Sequence, residues 1–283
     1  MKVRKPYVAN AFYAGTKTSL TEQISDCFTH KFGPGQISKA KQAGPRKILG
    51  IVSPHAGYMY SGPVAANGFA RLAADGTPET FIILGPNHTG QGSGVSILTD
   101  GAWETPIGTS KIQTELAERI QKSNTILDID EASHAYEHSI EVQLPFIQFL
   151  YGDSAKFIPI CMMMQDLQTS REIAKSIVDQ CKGNDYVIVA SSDFTHYEPH
   201  DTASKKDRSA IDAILKLDDK TLNELGESNR VTMCGYGPIT TLIAASKLMR
   251  GVNVELLTHK TSGDITEDRS AVVGYSSLVF TRT

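Results

Sequence analysis

The chain has 283 residues, 40% of them hydrophobic and 21% charged, and its formal net charge is −3. This near-neutral balance argues against nucleic-acid binding, because phosphate-rich partners select a basic surface. We find neither a signal peptide nor a run of roughly 18 apolar residues that could span a bilayer, so we expect a cytoplasmic protein with no membrane role.

Short apolar runs alternate with helical segments along most of the chain. A helix near residues 18–29 is followed by a loop at 30–46, which is rich in Gly, Lys and Pro and is predicted to be exposed. Further on, strands such as TFIILGP and DYVIVASSD alternate with helices, as in a sheet covered on both faces. One helix is predicted over 109–122, and antiparallel edges are predicted at 93–109 and in the last two strands. The pattern favours a single α/β domain, residues 1–283, with three α/β/α layers and a mostly parallel or mixed central sheet.

Three predicted strands end on a turn that carries a histidine. IVSPHAG places His55 after the first, LGPNHTG places His88 after the second, and SSDFTHY places Asp193 and His196 after the third. If these strands run parallel, their side chains meet at one edge of the sheet, where α/β proteins bind ligands. A single histidine is more often structural, but three at one edge indicate a functional site.

One of the four cysteines stands apart from the others. Cys27, Cys161 and Cys181 have no paired spacing and are typical of buried thiols in a reducing cytosol. Cys234 lies in MCGYGPI, just before a predicted helix, whose N-terminus favours thiolate. A thiolate can act as a nucleophile or as a metal ligand.

These motifs, together with HSIEVQLPF, resemble in their order those of the Memo family, whose microbial members are called AmmeMemoRadiSam system protein B. The motifs span residues 54–238, and both the N-terminal KPYVANAFYAG and the closing AVVGYSSLVF are also similar. The family in turn resembles class III extradiol dioxygenases of the LigB type, which are non-haem iron enzymes. The resemblance therefore implies a LigB-like fold and a pocket able to bind a metal ion.

The resemblance also implies roles for individual residues. The dioxygenases hold Fe(II) with two histidines and a glutamate, and use a further histidine as acid or base. By motif, His55 and His88 correspond to the two ligands, Cys234 replaces the glutamate, and His196 corresponds to the acid/base histidine, with Asp193 beside it. The resemblance makes Fe(II) the first expectation, and because a thiolate softens the site, copper and zinc are the alternatives. Dioxygenase activity itself does not transfer with the fold.

The expected function is that of a non-haem iron or copper oxidoreductase that uses oxygen on an unidentified small-molecule or peptide ligand. Tyr58, Asn87 and Trp103 are candidates for lining its pocket, with ordinary packing an open alternative for the aromatic side chains. His138 and Glu141 are expected at the pocket wall. Family association further implies a radical-SAM partner and an AMMECR1-type partner.

Two other functions are compatible with the residues. The first is a non-catalytic protein that binds a peptide or a small anion in a vestigial cleft, although the motifs lack the arginine common in phosphate sites. The second is zinc hydrolysis through HAYEH, in which His134 and His138 would share a helix face around Glu137. We interpret that match as accidental, because a helix beginning near Glu137–Ser139 would separate the two histidines.

Overall fold

The computed structural model describes residues 2–37 and 39–283. Over these residues the strands are β1 (Val3–Arg4), β2 (Ile48–Ser53), β3 (Thr80–Pro86), β4 (Val95–Ile97), β5 (Ala102–Thr105), β6 (Gly108–Lys111), β7 (Leu127–Ile129), β8 (Lys156–Met162), β9 (Tyr186–Ser191), β10 (His196–Glu198), β11 (Val252–Thr261) and β12 (Val272–Arg282). The α-helices are α1 (Lys17–Thr29), α2 (Tyr58–Asp75), α3 (Thr114–Lys122), α4 (Ala132–Ala135), α5 (Leu144–Tyr151), α6 (Leu167–Gln180), α7 (His200–Leu215), α8 (Asp219–Glu227), α9 (Tyr236–Met249) and α10 (Ser262–Thr266). Two short 3-10 turns lie at Glu141–Gln143 and Gly152–Ser154.

The main sheet is mixed. Its strands follow the order β10, β12, β2, β9, β3, β8, β4 and β7, and β11 pairs with β12. The central strands β2, β9, β3 and β8 are parallel, whereas β12 is antiparallel to β2 and β4 is antiparallel to β8. A smaller sheet contains β1, β5 and β6. The predicted α/β class with a mixed central sheet is confirmed.

Helices cover both faces of the central strands. A Cβ atom on Gly50 of β2 would lie 2.7 Å from Leu242 of α9, so α9 packs very closely on that face. The next residue, Ile51, faces Gly68 of α2. Because successive strand residues point to opposite faces, α2 and α9 lie on opposite sides of the sheet. This explains why every residue of β2, β3 and β9 is buried.

Several predicted boundaries differ from the structure. The segment predicted as a helix over 109–122 begins as β6 and becomes helical only at Thr114. The helix expected near Glu137–Ser139 begins later, with a 3-10 turn from Glu141 that leads into α5, and Pro145 lies in the first turn, where a missing N–H is tolerated. The last two strands form the predicted antiparallel edge, because β12 is antiparallel to β2 and β11 is antiparallel to β12. The run through 93–109 does not, because β4 lies between β8 and β7, and β5 and β6 join the smaller sheet.

The structure also bears on the predicted exposure of the 30–46 loop and on the expectation of no membrane-spanning segment. No residue with described burial in the 30–46 loop is buried. In the described part of the chain, no helix is both long and apolar enough to cross a membrane.

The carboxyl ends of β2, β9 and β3 lie side by side in the sheet. The segments that carry His55, Asp193 and His88 follow these three ends directly. The topology therefore brings two histidines and an aspartate from distant parts of the chain to one edge of the sheet.

Candidate metal centre

Three histidines converge beyond the sheet edge. His55 follows β2, His88 follows β3, and His138 lies between α4 and the 3-10 turn. One nitrogen from each ring belongs to a group of atoms that all lie within 4.8 Å of one another. The ring centroids of His88 and His138 are 4.5 Å apart, and that of His55 lies 5.2 Å and 5.4 Å from them. This spacing suits three imidazoles around one metal ion.

Hydrogen bonds fix the tautomer of His55. The Ser191 hydroxyl donates its proton to the carbonyl of Ser139 at 2.7 Å and lies 2.8 Å from Nδ1 of His55. Since a hydroxyl has one proton to give, it accepts from Nδ1–H of His55. This leaves Nε2 of His55 with a free lone pair. Gln143 also donates to the Ser191 hydroxyl at 2.9 Å and so helps to hold it.

Glu137 orients the other two histidines. One of its carboxylate oxygens lies 2.9 Å from Nδ1 of His88 and 3.3 Å from Nδ1 of His138. The same carboxylate accepts the backbone N–H groups of His88, His138 and Ser139. Because a carboxylate only accepts, Nδ1 of His88 carries its proton and Nε2 is free for a metal ion.

The electrostatics favour neutral imidazoles beside an ionised carboxylate. Burial lowers the pKa of His138 to about 4, and His88 adds to this effect. Burial also holds the pKa of His55 well below its usual range. Although burial opposes ionisation of Glu137, the hydrogen bond from His88 and the nearby histidines lower its pKa to about 2. Neutral imidazole is the form that binds metal ions, so the side chains present fit a metal.

Cys234 lies at the edge of this group. Its Sγ is 3.1 Å from Nε2 of His55, but it is not among the atoms that all lie within 4.8 Å of one another. Gly235 allows this approach, because a Cβ there would lie 2.3 Å from the carbonyl oxygen of Ser191. Contrary to the expected thiolate, burial raises the pKa of Cys234 and nearby Asp193 raises it further. The metal-free thiol therefore keeps its proton, and its role as a ligand stays a prediction.

His196 and Asp193 lie beside the histidines, as their motif positions predict. Nδ1 of His196 is 2.8 Å from the carbonyl of Thr232, which must accept, so Nε2 is the free nitrogen. Asp193 accepts the backbone N–H of His55 at 2.8 Å, and burial raises its pKa to about 6. The carboxyl group of Asp193 can therefore exchange a proton at a pH not far below neutral, and the ring of His196 lines the same cleft.

His55, His88, His138, Asp193 and His196 line a cleft of about 610 Å³, which we call the histidine cleft. Its other wall comes from β12, α10 and the segment between them. The lining residues are Phe12, His55, Ala56, Gly57, Tyr60, His88, His138, Asp193, His196, Tyr197, Ser262, Thr266, Asp268, Ala271, Val273 and Tyr275. This volume is in the range of small-molecule sites.

Two of the expected lining residues have other contacts. The hydroxyl of Tyr58 donates to the carbonyl of Val142 at 2.6 Å, and its ring is buried in the core. The side-chain oxygen of Asn87 accepts the backbone N–H groups of Thr89 and Gly90, so Asn87 caps its own turn. Neither side chain lines the histidine cleft.

Trp103 and Glu141 also lie elsewhere. Trp103 is almost fully buried beneath Arg4 and lines a separate cleft. Glu141 pairs with Arg4 at 2.6 Å and accepts the hydroxyl of Tyr13 at 2.6 Å, so it anchors the N-terminal segment. His134 lies in α4 with Nε2 3.0 Å from the hydroxyl of Ser96, and it is not part of the histidine group. The two histidines of HAYEH therefore do not form one metal site.

Sequence reasoning did not assign the residues that orient the ligands. Glu137, Ser191 and Gln143 all contact a cluster histidine or its partner. Glu137 stands next to His138 in HAYEH, but the motif itself gives no sign that this carboxylate contacts His88 as well. In the structure, one oxygen of Glu137 lies close to Nδ1 of both histidines.

Known proteins resemble this chain in sequence over nearly its whole length. The chain matches the Memo-like protein family over residues 4–279. It is 50% identical over 281 residues to a MEMO1 family protein of Methanopyrus kandleri, with 99% of each chain covered. It is 45% identical over 278 residues to a MEMO1 family protein of Methanothermobacter thermautotrophicus, covering 98% of this chain and 99% of that relative.

Among solved structures, an uncharacterized protein from Escherichia coli K12 has a similar fold. The TM-score is 0.57 at 10% sequence identity, and the match covers 82% of this chain and 100% of that chain. At this identity the likeness concerns the fold alone. The family match and the relatives over nearly the full length lead to one conclusion: the chain belongs to the Memo family.

Proposed function

We propose that this protein binds a first-row transition metal ion through Nε2 of His55, His88 and His138, and that it acts as a non-haem metal-dependent oxidoreductase. The observation that carries the proposal is the convergence of three imidazole nitrogens within 4.8 Å. Imidazole ligands suit iron, copper and zinc, with Fe(II) as the first candidate for oxygen chemistry. When bound, such an ion supplies Lewis acidity or one-electron chemistry.

The cleft supports a reaction rather than a purely structural metal site. Three protein ligands leave coordination positions open, and the rings of His55, His88 and His138 line a cleft large enough for a small molecule. A structural site would instead be closed by a fourth protein ligand. We therefore place a small-molecule or peptide ligand in the histidine cleft, against Tyr60 and Tyr275.

The remaining polar groups have roles that follow from their contacts. Glu137 and Ser191 hold the Nδ1 protons and so aim the ligand nitrogens. His196, fixed by its bond to Thr232, presents Nε2 to take or give a proton. Asp193, with its raised pKa, holds the backbone at His55 and can share a proton within the cleft.

The first test is the metal content of anaerobically purified protein. We expect a stoichiometric ion in the wild type and in His134→Gln, a matched control from the adjacent helix. His88→Ala and His138→Ala should lose it. If Cys234→Ser loses the ion and His138→Ala keeps it, the ligand set predicted from the resemblance, with Cys234 in place of His138, is correct and ours is wrong.

Oxygen consumption then separates an enzyme from a binding protein. The metal-loaded protein is assayed with catechols and quinols, using His196→Gln as the variant that keeps the ligands and removes the proton-transfer group. We expect turnover that falls in the variant while the metal content stays constant. Inactivity across these compounds, together with saturable peptide binding, would support the alternative of a non-catalytic binding protein. The radical-SAM and AMMECR1-type partners stay predictions.

A further inference from the structure

The wall of the histidine cleft contains a hydroxyl group that the protein itself does not use. Tyr275 lines the cleft and is only 2% exposed, so its ring is packed into the wall. Its hydroxyl bonds to none of the described residues, yet it is not among the enclosed polar atoms that lack a partner, so it has surface that faces the cleft. Polar groups of packed side chains are nearly always paired, so this hydroxyl calls for a partner from outside the protein.

The carboxylate of Asp193 lies near this hydroxyl. Burial raises the pKa of Tyr275, and Asp193, Tyr60 and Tyr197 each raise it further, so the four side chains are neighbours. Asp193 is 5% exposed and accepts the backbone N–H of His55. A carboxylate has about four lone-pair positions, so it can accept more bonds than this one.

The chain supplies no cation for Asp193 within the cleft. Neither lysine nor arginine is found among the described residues that line it. Asp193 is also outside the group of three histidine nitrogens that can hold one ion, so that ion is not its direct partner. Because an aspartate this deeply buried is normally paired, the missing partner is a positively charged group of the ligand.

The other polar side chains of the cleft also suit a ligand that donates hydrogen bonds. Nε2 of His196 is a free acceptor, because its Nδ1 donates to the carbonyl of Thr232. Hydrogen bonds from Ser270 lower the pKa of the exposed Asp268, which adds a second negative charge at the rim. The described lining contains no ammonium, guanidinium or amide side chain that could donate to an anion. The wall therefore favours a donor with positive charge over a carboxylate or a phosphate.

Aromatic rings make up much of the remaining lining. Phe12, Tyr60, Tyr197 and Tyr275 all face the cleft, and Tyr197 is 78% exposed at its mouth. The faces of aromatic rings attract organic cations, and they also pack well against hydrocarbon. A small molecule with an apolar body and one cationic group matches both properties.

We propose that the ligand of the histidine cleft carries a protonated primary amine. The ammonium group donates to the carboxylate of Asp193 and to the hydroxyl of Tyr275, and the apolar body lies among the tyrosine rings. This inference rests on the proposed function, since it names the class of compound that would lie beside the metal centre. The binding itself needs no metal ion.

The probe is benzylamine, titrated into metal-free protein by calorimetry at about pH 8. This pH lies above the pKa of about 6 that burial gives Asp193, and benzylamine is still a cation there. We expect saturable binding of benzylamine. Benzyl alcohol, which has the same ring without the charge, should bind at least about tenfold more weakly, and benzoate should not bind measurably.

Two variants locate the ammonium group. Tyr275→Phe removes only a hydroxyl that has no partner in the protein, so it should fold normally and weaken benzylamine binding by about tenfold. Asp193→Asn removes the charge and should weaken binding by at least as much. Tyr136→Phe is the matched control, because Tyr136 is exposed and lies outside the cleft, and it should bind as the wild type does.

Four results would overturn the proposal. They are no saturable binding of benzylamine, benzoate binding as tight as that of benzylamine, equal affinities in Tyr275→Phe and Tyr136→Phe, or binding that His88→Ala abolishes and Tyr275→Phe leaves intact. The last result would place the ammonium group among the imidazoles instead. The titrations use metal-free protein, so their failure is distinguishable from failure of the proposed metal centre, which metal content tests.

Discussion

A second cleft, whose lining includes Arg4, Trp103, His134 and Tyr136, we call the Trp103 cleft. It shares the segment 131–138 with the histidine cleft, but the polar atoms of the two clefts are arranged differently. In the histidine cleft, hydrogen bonds at Nδ1 of His55 and His88 fix the tautomer of each ring, so the free lone pair lies on Nε2. In the Trp103 cleft, the unpaired nitrogens are single atoms on two neighbouring rings. Converging lone pairs at the mouth of a cleft suit a metal ion, whereas the unpaired nitrogens of Trp103 and His134 are buried in a packed wall.

Arg4 lies between the two regions and ties them together. Its guanidinium lies 4.2 Å from the ring centroid of Trp103. The same group donates to the Glu141 carboxylate at 2.6 Å and to the carbonyls of His134 and Glu137 at 2.8 Å and 2.9 Å. The N-terminal strand therefore fixes the backbone of the segment that carries Glu137. The two clefts differ in chemistry but depend on one structural anchor.

The largest expected effect is the loss of that anchor in Glu141→Gln. Glu141 is fully buried, and its carboxyl group pairs with the guanidinium of Arg4. Leaving a buried charge without its partner costs about 3–5 kcal/mol, so the free energy of unfolding in urea should fall by that amount. Glu104→Gln, which removes the exposed partner of Lys5, should cost about 0–1 kcal/mol.

The result would also decide what Glu141 does. If Glu141→Gln keeps wild-type stability but loses substrate turnover, Glu141 belongs to the histidine cleft, and its structural role is refuted.

The next effect concerns pH and the wall of the Trp103 cleft. Burial, aided by Arg4, lowers the pKa of His134 to about 3. At pH values between about 3 and the usual histidine pKa of about 6.5, His134 is protonated in the unfolded chain but not in the folded chain. The contribution to stability is therefore complete above pH ~6.5 and falls as the pH drops, by on the order of 3 kcal/mol at pH 4. His134→Gln should show a smaller loss of stability between pH 7 and pH 4 in urea titrations. Equal losses in the two proteins would show that His134 is protonated in the folded state.

The sequence predicted the parts of the site that depend on strand ends. The apolar runs before His55, His88 and Asp193 are long enough to show buried strands, and parallel strands bring their carboxyl ends together. That topological rule needs no side-chain detail. It is why residues distant in the chain could be placed at one edge of the sheet.

The parts that could not be predicted depend on side-chain direction and on contacts across the fold. His138 and Glu141 are only three residues apart, yet one lines the histidine cleft and the other binds the N-terminal segment. The 3-10 turn begins only at Glu141, so neither helical nor strand periodicity relates the directions of the two side chains. The sequence leaves open whether Trp103 lines the histidine cleft or simply packs, and the contact with Arg4 of β1 shows that its ring is packed elsewhere.

A smaller effect, on metal affinity, is expected from Glu137→Gln. This variant tests whether the tautomers that Glu137 fixes are needed for metal binding in the histidine cleft. The amide can still accept from one histidine, but it can also present an N–H group to the imidazoles. Loss of such a partner typically weakens metal affinity by about 10–100-fold. Anaerobic Co(II) titration, followed by its visible absorption, measures this affinity.

The matched control is Glu131→Gln, an exposed carboxylate of the same segment that pairs with Lys2. It should retain wild-type affinity. Equal affinities in all three proteins would mean that Glu137 does not orient the metal ligands.

The smallest expected effect comes from Asn87→Ala. This variant tests whether the turn after β3 contributes to stability without contributing to metal binding. The Asn87 oxygen accepts the N–H groups of Thr89 and Gly90 and the Thr89 hydroxyl. Removing such a cap should lower the free energy of unfolding by about 1 kcal/mol. Asn87→Asp keeps an acceptor oxygen and should restore most of that stability. The affinity for Co(II) should not change in either variant, because Glu137 and not Asn87 holds His88. A loss of affinity that parallels the loss of stability would instead make this turn part of the metal-binding apparatus.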